Sequence, residues 1–76
     1  MSRLAWQCRR GMRELDELLQ RYLEQRYPRA TDDERRAFER LLGVQDTELQ
    51  GYLLNHAEPA DPEIENVIRI LREHRA

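Results

Sequence analysis

Apolar residues recur along this chain at intervals of three and four, and each run stops at a recognisable turn signal. At about 100° per residue, Leu4, Cys8, Met12, Leu15, Leu19 and Tyr22 fall on one side of a helical projection, and Trp6, Arg10, Arg13, Glu14 and Glu17 on the other. Ser2 is placed to cap a first helix over residues 3–10. Gly11 interrupts the run, and two structures remain open. Either one long helix tolerates the glycine at ~1 kcal/mol, or Gly11 is a left-handed residue that ends the first helix and lets a second begin at Met12. The break is favoured, because an unbroken helix over residues 2–26 would be as long as so small a domain is wide.

The second helix is predicted from Met12 to Glu24 or Arg26, with Leu15, Leu18, Leu19, Tyr22 and Leu23 as its buried stripe and Tyr27-Pro28 closing it. Thr31-Asp32-Asp33-Glu34 has the form of a capping box, in which the Thr31 hydroxyl and the Glu34 carboxylate each reach the other's amide. A third helix follows, with Ala37, Phe38, Leu41 and Leu42 inward, and Gly43 is expected to stop it. Asp46 is expected to cap a fourth, whose inner positions are Leu49, Tyr52, Leu53 and His56, ahead of a turn at Pro59. Asp61-Pro62 sets an N-cap before proline at the first helical position, and Ile64, Val67, Ile68 and Leu71 give a fifth helix its stripe down to His74. With connections of a few residues each, the pattern predicts an all-α fold: a small five-helix bundle, one domain over residues 1–76.

Composition narrows the function. A chain of 76 residues buries only ~60% of its unfolded surface, so a deep catalytic cleft is not expected. Charged residues make up 37% and hydrophobic residues 39%, a balance that suits helices with one wet face and excludes direct membrane insertion. The lone Cys8 rules out an internal disulfide framework and fits a reducing compartment. No apolar core follows a basic start, so no signal or transit peptide is visible and the expected location is the cytoplasm. A net charge of −2 is too mild to draw the whole chain to nucleic acid or anionic lipid. Its distribution says more: residues 1–29 carry seven arginines against four acids, residues 30–66 three against ten. The first third is a basic pole. All thirteen cations are arginine, which favours bidentate contacts but is as easily a matter of codon usage.

Candidate chemistry is sparse. His56 and His74 show no metal-ligand spacing, and one cysteine cannot complete a zinc set. Cys8 lies on the apolar side and reads as a small buried filler, and His56 reads as structural at the end of its stripe. The third and fourth helices resemble a helix-turn-helix in outline, but residues 47–55 carry a glutamate and no arginine, which argues against nucleic acid. No glycine-rich phosphate loop is present.

What remains is Arg9-Arg10-Gly11-Met12-Arg13-Glu14-Leu15-Asp16, three arginines and two carboxylates around one glycine. It reads equally as a charged helix junction, with Arg10–Glu14 and Arg13–Glu17 as i,i+4 pairs worth ~0.3 to 0.5 kcal/mol each, or as an interaction surface. Trp6 one turn before Arg10 favours the surface, since an exposed indole beside guanidinium groups is hot-spot composition.

These strings tip the balance. Trp6-x-Cys8-Arg9-Arg10-Gly11-Met12-Arg13-Glu14-Leu15-Asp16, then Asp32-Asp33-Glu34-x-Arg36 through Phe38 to Leu41-Leu42, then Tyr52-Leu53-x-Asn55-His56 with Pro59-Ala60-Asp61, resemble the SdhE family of bacterial succinate dehydrogenase flavinylation factors, relatives of the mitochondrial succinate dehydrogenase assembly factor. The family signature R-G-x-x-E falls on Arg10, Gly11 and Glu14. The resemblance implies a monomeric five-helix bundle that binds the flavoprotein subunit of succinate dehydrogenase or fumarate reductase. There it promotes covalent attachment of FAD to a histidine of that subunit, without being an enzyme itself. FAD would belong to the client, and no cofactor would be held stably by this chain. Arg10, Gly11 and Glu14 would form the centre of the partner site, with Arg9 beside them and Trp6, Met12, Arg13 and Asp16 at its rim; the segment from Tyr52 to Asp61 is a weaker second candidate. A competing role attached to the same family is that of an antitoxin-like partner of a small membrane protein.

Overall fold

A computed structural model of the protein describes residues 3–73. In chain order its elements are α1 (Arg3–Gln7), α2 (Arg13–Gln25), a 3-10 turn (Tyr27–Arg29), α3 (Asp32–Leu41), α4 (Asp46–Leu54) and α5 (Pro62–Glu73). Five α-helices and no strand stand among the described residues, as the periodicity predicts. The Ser2 cap and the His74 end of the last helix lie outside them.

The core forms where the apolar stripes meet. Leu15, Leu19 and Tyr22 of α2, Phe38 and Leu41 of α3, Leu49 and Leu53 of α4, and Val67, Ile68 and Leu71 of α5 are all essentially closed to solvent. α5 runs through the middle, in contact with α2, α3 and α4. Phe38 lies against Tyr22 with ring centroids 4.4 Å apart, and Tyr27 packs beside it at 5.8 Å. The molecule measures 28 × 26 × 24 Å. An unbroken helix over residues 2–26 would run ~37 Å and overshoot it, so the chain breaks.

The break falls earlier than Gly11. α1 ends at Gln7 rather than at residue 10; the Cys8 amide still donates to the Leu4 carbonyl at 3.1 Å and the Arg9 amide to Trp6 at 3.1 Å, after which the chain leaves the helix. Gly11 is left-handed, at φ +80°. Met12 is the extended N-cap of α2 rather than its first helical residue. Leu4, Cys8 and Met12 of the predicted stripe pack against the core all the same, although the chain between Cys8 and Met12 is not helical.

Three further expectations are revised. At the start of α3 the Thr31 hydroxyl accepts from the Glu34 amide at 3.2 Å, but the Glu34 carboxylate does not return to Thr31. It accepts instead from the Tyr22 hydroxyl at 2.6 Å and from the Arg26 guanidinium at 3.2 and 3.3 Å, since a buried phenol offers a better donor than an amide already open to water. The N-cap of α4 is Gln45, with Asp46 the first helical residue. His56 does not line α4: the helix ends at Leu54, and His56 is exposed in the left-handed region at φ 59°, letting the Ala57 amide fold back onto the Gly51 carbonyl at 2.8 Å. Gly43 follows the α3 C-cap, Leu42, without positive φ, and a Cβ on it would make a tight contact of 3.2 Å with the Arg40 carbonyl oxygen.

Arginine forks tie the short elements together. Arg35 donates to the carbonyls of Tyr27 at 3.0 Å and Pro28 at 2.8 Å, and lies over the Tyr27 ring at 5.3 Å. Arg72 of α5 reaches the carbonyls of Tyr52 at 2.9 Å and Ala57 at 3.2 Å beyond the end of α4. Arg40 bridges α3 to Asp61 at 3.3 Å and Glu63 at 3.4 Å, while Asp61 caps α5 through the Glu63 amide at 2.9 Å. A planar guanidinium satisfies two acceptors at once, which an ammonium on a flexible stem does not do in fixed geometry.

The Tyr22–Glu34–Arg26 group also sets an acid limit. Burial pushes the Glu34 carboxyl up, but hydrogen bonds from Tyr22 and Arg26 outweigh it, leaving Glu34 below its ordinary value of 4.5. A depressed carboxylate adds stability that is present above the ordinary pKa and is lost as pH falls through the folded one. Glu34→Gln is therefore expected to melt below the wild type at pH 7, with the gap closing as pH drops under 4.5; a gap that persists in acid would contradict this origin.

Candidate functional site

The charged stretch that the sequence singles out becomes a loop, residues 9–12, between α1 and α2, together with the first turn of α2. Its formation follows from local chemistry. α1 is only five residues long and has no basic residue in its last turn. Gly11 then reverses the chain at a φ that side-chain-bearing residues rarely adopt. Glu14 and Asp16 occupy the first turn of α2, where carboxylates suit the positive end of the dipole.

The structure divides the eight candidate residues into two sets. Trp6, Arg9, Gly11, Arg13 and Glu14 are exposed, Trp6 at 66% and the Arg13 side chain at 93%. Arg10, Met12 and Asp16 turn inward. Arg10 is the main departure from the expected pattern, for its guanidinium makes no i,i+4 pair with Glu14. It crosses to the α3–α4 junction, donating to the Leu42 carbonyl and to Asp46 Oδ1 at 3.2 Å, with its side chain only 16% exposed and Nε enclosed without a partner. The reason is placement: the carbonyl at the end of α3 and the carboxylate at the start of α4 offer a fixed pair of acceptors within its reach. The expected Arg13–Glu17 pair is present at 3.4 Å, exposed on both sides.

Backbone bonds fix the loop from the other direction. The Arg10 amide donates to Asp16 Oδ1 at 2.7 Å, and the Asp16 amide to the Met12 carbonyl at 2.9 Å. Gln50 Nε2 of α4 donates to Met12 Sδ at 2.9 Å. Gly11 is left at the apex, and a Cβ built on it would meet nothing within 4 Å. Asp46 and Gln50 did not stand out in the sequence as parts of this site. They are 36 and 38 residues from the groups they hold, and no local spacing signals such a pairing.

Catalytic chemistry finds little purchase here. Cys8 is fully buried, and burial raises its thiol to about 11 despite the Arg10 charge nearby, so it is protonated and inert at neutral pH. Among the described residues no group of three or more His, Cys, Asp and Glu is arranged to hold a metal ion, and no helix is long and apolar enough to cross a membrane. The geometry is that of a presented loop on a rigid base.

Comparison with known proteins agrees with the strings that carry the loop. Residues 2–75 match the family described as flavinator of succinate dehydrogenase. The chain belongs to that family. Among its flavinator relatives, the FAD assembly factor SdhE of Pectobacterium atrosepticum is 44% identical over 71 residues, covering 93% of this chain and 81% of the relative. Those of Yersinia pseudotuberculosis and Photorhabdus laumondii are 41% and 39% identical over the same length and shares. The family match thus spans the whole helical bundle described above.

Proposed function

We propose that this chain is a non-catalytic assembly factor that binds the flavoprotein subunit of succinate dehydrogenase, or of the related fumarate reductase, and promotes covalent attachment of FAD within that subunit. Membership of the flavinator family supports the role. The observation that carries the site is the Gly11 apex, a left-handed backbone with open space in front of it and exposed Trp6, Arg9, Arg13 and Glu14 on the same connection and its flanking turns. On this reading a client approaches the glycine backbone closely, Arg9 and Arg13 meet client carboxylates or carbonyls, Glu14 meets a client cation, and Trp6 supplies the apolar anchor. The chain acts as a monomer in the cytoplasm.

The new bond forms between the client's own histidine and the client's FAD. What this chain adds is position, and holding two reacting groups in register is worth several kcal/mol, with ~7 to 11 as the upper range. On this reading FAD is the client's own cofactor throughout.

Glu14 offers the simplest test, because it lies on an exposed turn away from the core. Glu14→Ala is expected to keep the wild-type helical signal and melting temperature within a few degrees, yet to lose co-purification with the apo flavoprotein subunit. Capture equal to wild type would remove Glu14 from the client site.

A further inference from the structure

Gly11 is held by its two neighbours, and both neighbours are held by α4. Arg10 donates to Asp46 Oδ1 at 3.2 Å, and Met12 Sδ accepts from Gln50 Nε2 at 2.9 Å. Asp46 and Gln50 are four residues apart, one helical turn, so they present their side chains on one face of α4. The spacing of a helical turn is thereby imposed on a loop that has no regular structure of its own. We propose that Asp46 and Gln50 are positioning residues for client binding: they clamp Arg10 and Met12 on either side of Gly11 and so fix the arch that the client reads. The proposal rests on the client-binding role given to this loop above, and it places Arg10 in the clamp, behind the contact surface.

Three features support the clamp. The Arg10 guanidinium has its Leu42 and Asp46 acceptors inside the chain and its Nε enclosed, which leaves no edge of it presented for a bidentate contact outside. Its amide also donates to Asp16 at 2.7 Å, so side chain and backbone hold the residue together and freeing the one loosens the other. Met12 packs against the core and also accepts from Gln50, which anchors the far side of the arch to the same helix. Gly11, between two pinned residues, contributes no side chain to hold itself. Glycine adopts this left-handed φ without strain, and the bonds that Asp16, Leu42, Asp46 and Gln50 make to its two neighbours select it.

The test uses Asp46→Asn, Asp46→Glu, Gln50→Ala and Arg10→Ala in the full chain, with amide hydrogen exchange on the free protein and affinity for the apo flavoprotein subunit as readouts. Asp46→Asn and Gln50→Ala are each expected to speed exchange of the Arg10 amide about tenfold while the amides of Leu19 and Ile68 in the core stay unchanged, and to weaken client affinity about tenfold, the weight of one lost anchoring bond. Asp46→Glu restores both. Asp46→Asn added to Arg10→Ala is expected to weaken binding no further, since Asp46 acts through Arg10. Unchanged exchange at Arg10 in both single variants overturns the clamp. Faster exchange with undiminished affinity overturns its role in positioning, as does full additivity with Arg10→Ala. A wild-type chain that does not bind the subunit overturns the client-binding reading, and the positioning role with it, while the exchange data still decide whether the clamp exists.

Discussion

Gly11→Arg is expected to fold, to melt only modestly below the wild type, and to lose all capture of the apo flavoprotein subunit. The two effects separate because of what surrounds Gly11 in the free chain. A Cβ at this position meets nothing within 4 Å, so the only intramolecular penalty is the left-handed backbone, at φ +80°. An L-residue held there costs ~1 to 2 kcal/mol. For a domain of this size each kcal/mol lowers Tm by roughly 4–8 °C. The helical far-UV signal therefore survives. Binding has no such tolerance, because a long cation now occupies the space through which the client would approach the loop. Gly11→Ala divides the contributions further: it carries the same backbone penalty with a single added carbon, and retains binding only where that approach leaves room for a methyl group. A Gly11→Arg variant that captures the subunit as well as wild type would remove the apex from the interface.

Phe38→Ala is expected to abolish the cooperative thermal transition, or to bring it close to room temperature. Phe38 is fully buried, stacked at 4.4 Å on Tyr22 and flanked by Tyr27, so truncation opens a cavity where α2, the 3-10 turn and α3 meet. Such a change typically costs about 3–5 kcal/mol. Whole-domain stabilities run from about 5 to 15 kcal/mol, and a short chain with a thin core stands at the lower end. The Tyr22 hydroxyl would also lose the wall that aims it at Glu34. A variant melting within a few degrees of wild type would show that the packing around Phe38 is not a mainstay of the core.

The helices and the core were legible in the sequence because both depend on spacing. Leu15, Leu19 and Tyr22, Phe38 and Leu41, and Val67, Ile68 and Leu71 are at helical intervals, and burial follows from their sharing a face. The site was legible as a string but not as a geometry. Arg10 and Glu14 are four apart and suggest a pair; in the fold Arg10 crosses to Leu42 and Asp46 instead, since the loop breaks the helical phase on which the pairing depends. Glu34 similarly serves Tyr22 and Arg26 rather than its capping partner. His56 shows the same limit at a helix end, where its place in an apolar period gives way to a left-handed turn. Local pattern predicts which face a residue occupies, whereas the partner of a long polar side chain is decided by which acceptors the other helices bring within reach. The arginine content illustrates the point. Composition left bidentate use and codon usage side by side, and the fold shows Arg10, Arg35 and Arg72 each spanning two acceptors across separate elements.

The role proposed for the Gly11 loop is to promote covalent flavinylation of another protein's subunit. The most direct measurement is in-gel flavin fluorescence of the denatured flavoprotein subunit from cells lacking this chain, complemented with either the wild type or Gly11→Arg. Covalent flavin is expected with the wild type and little or none with the empty control or Gly11→Arg. Equal fluorescence in all three would contradict it.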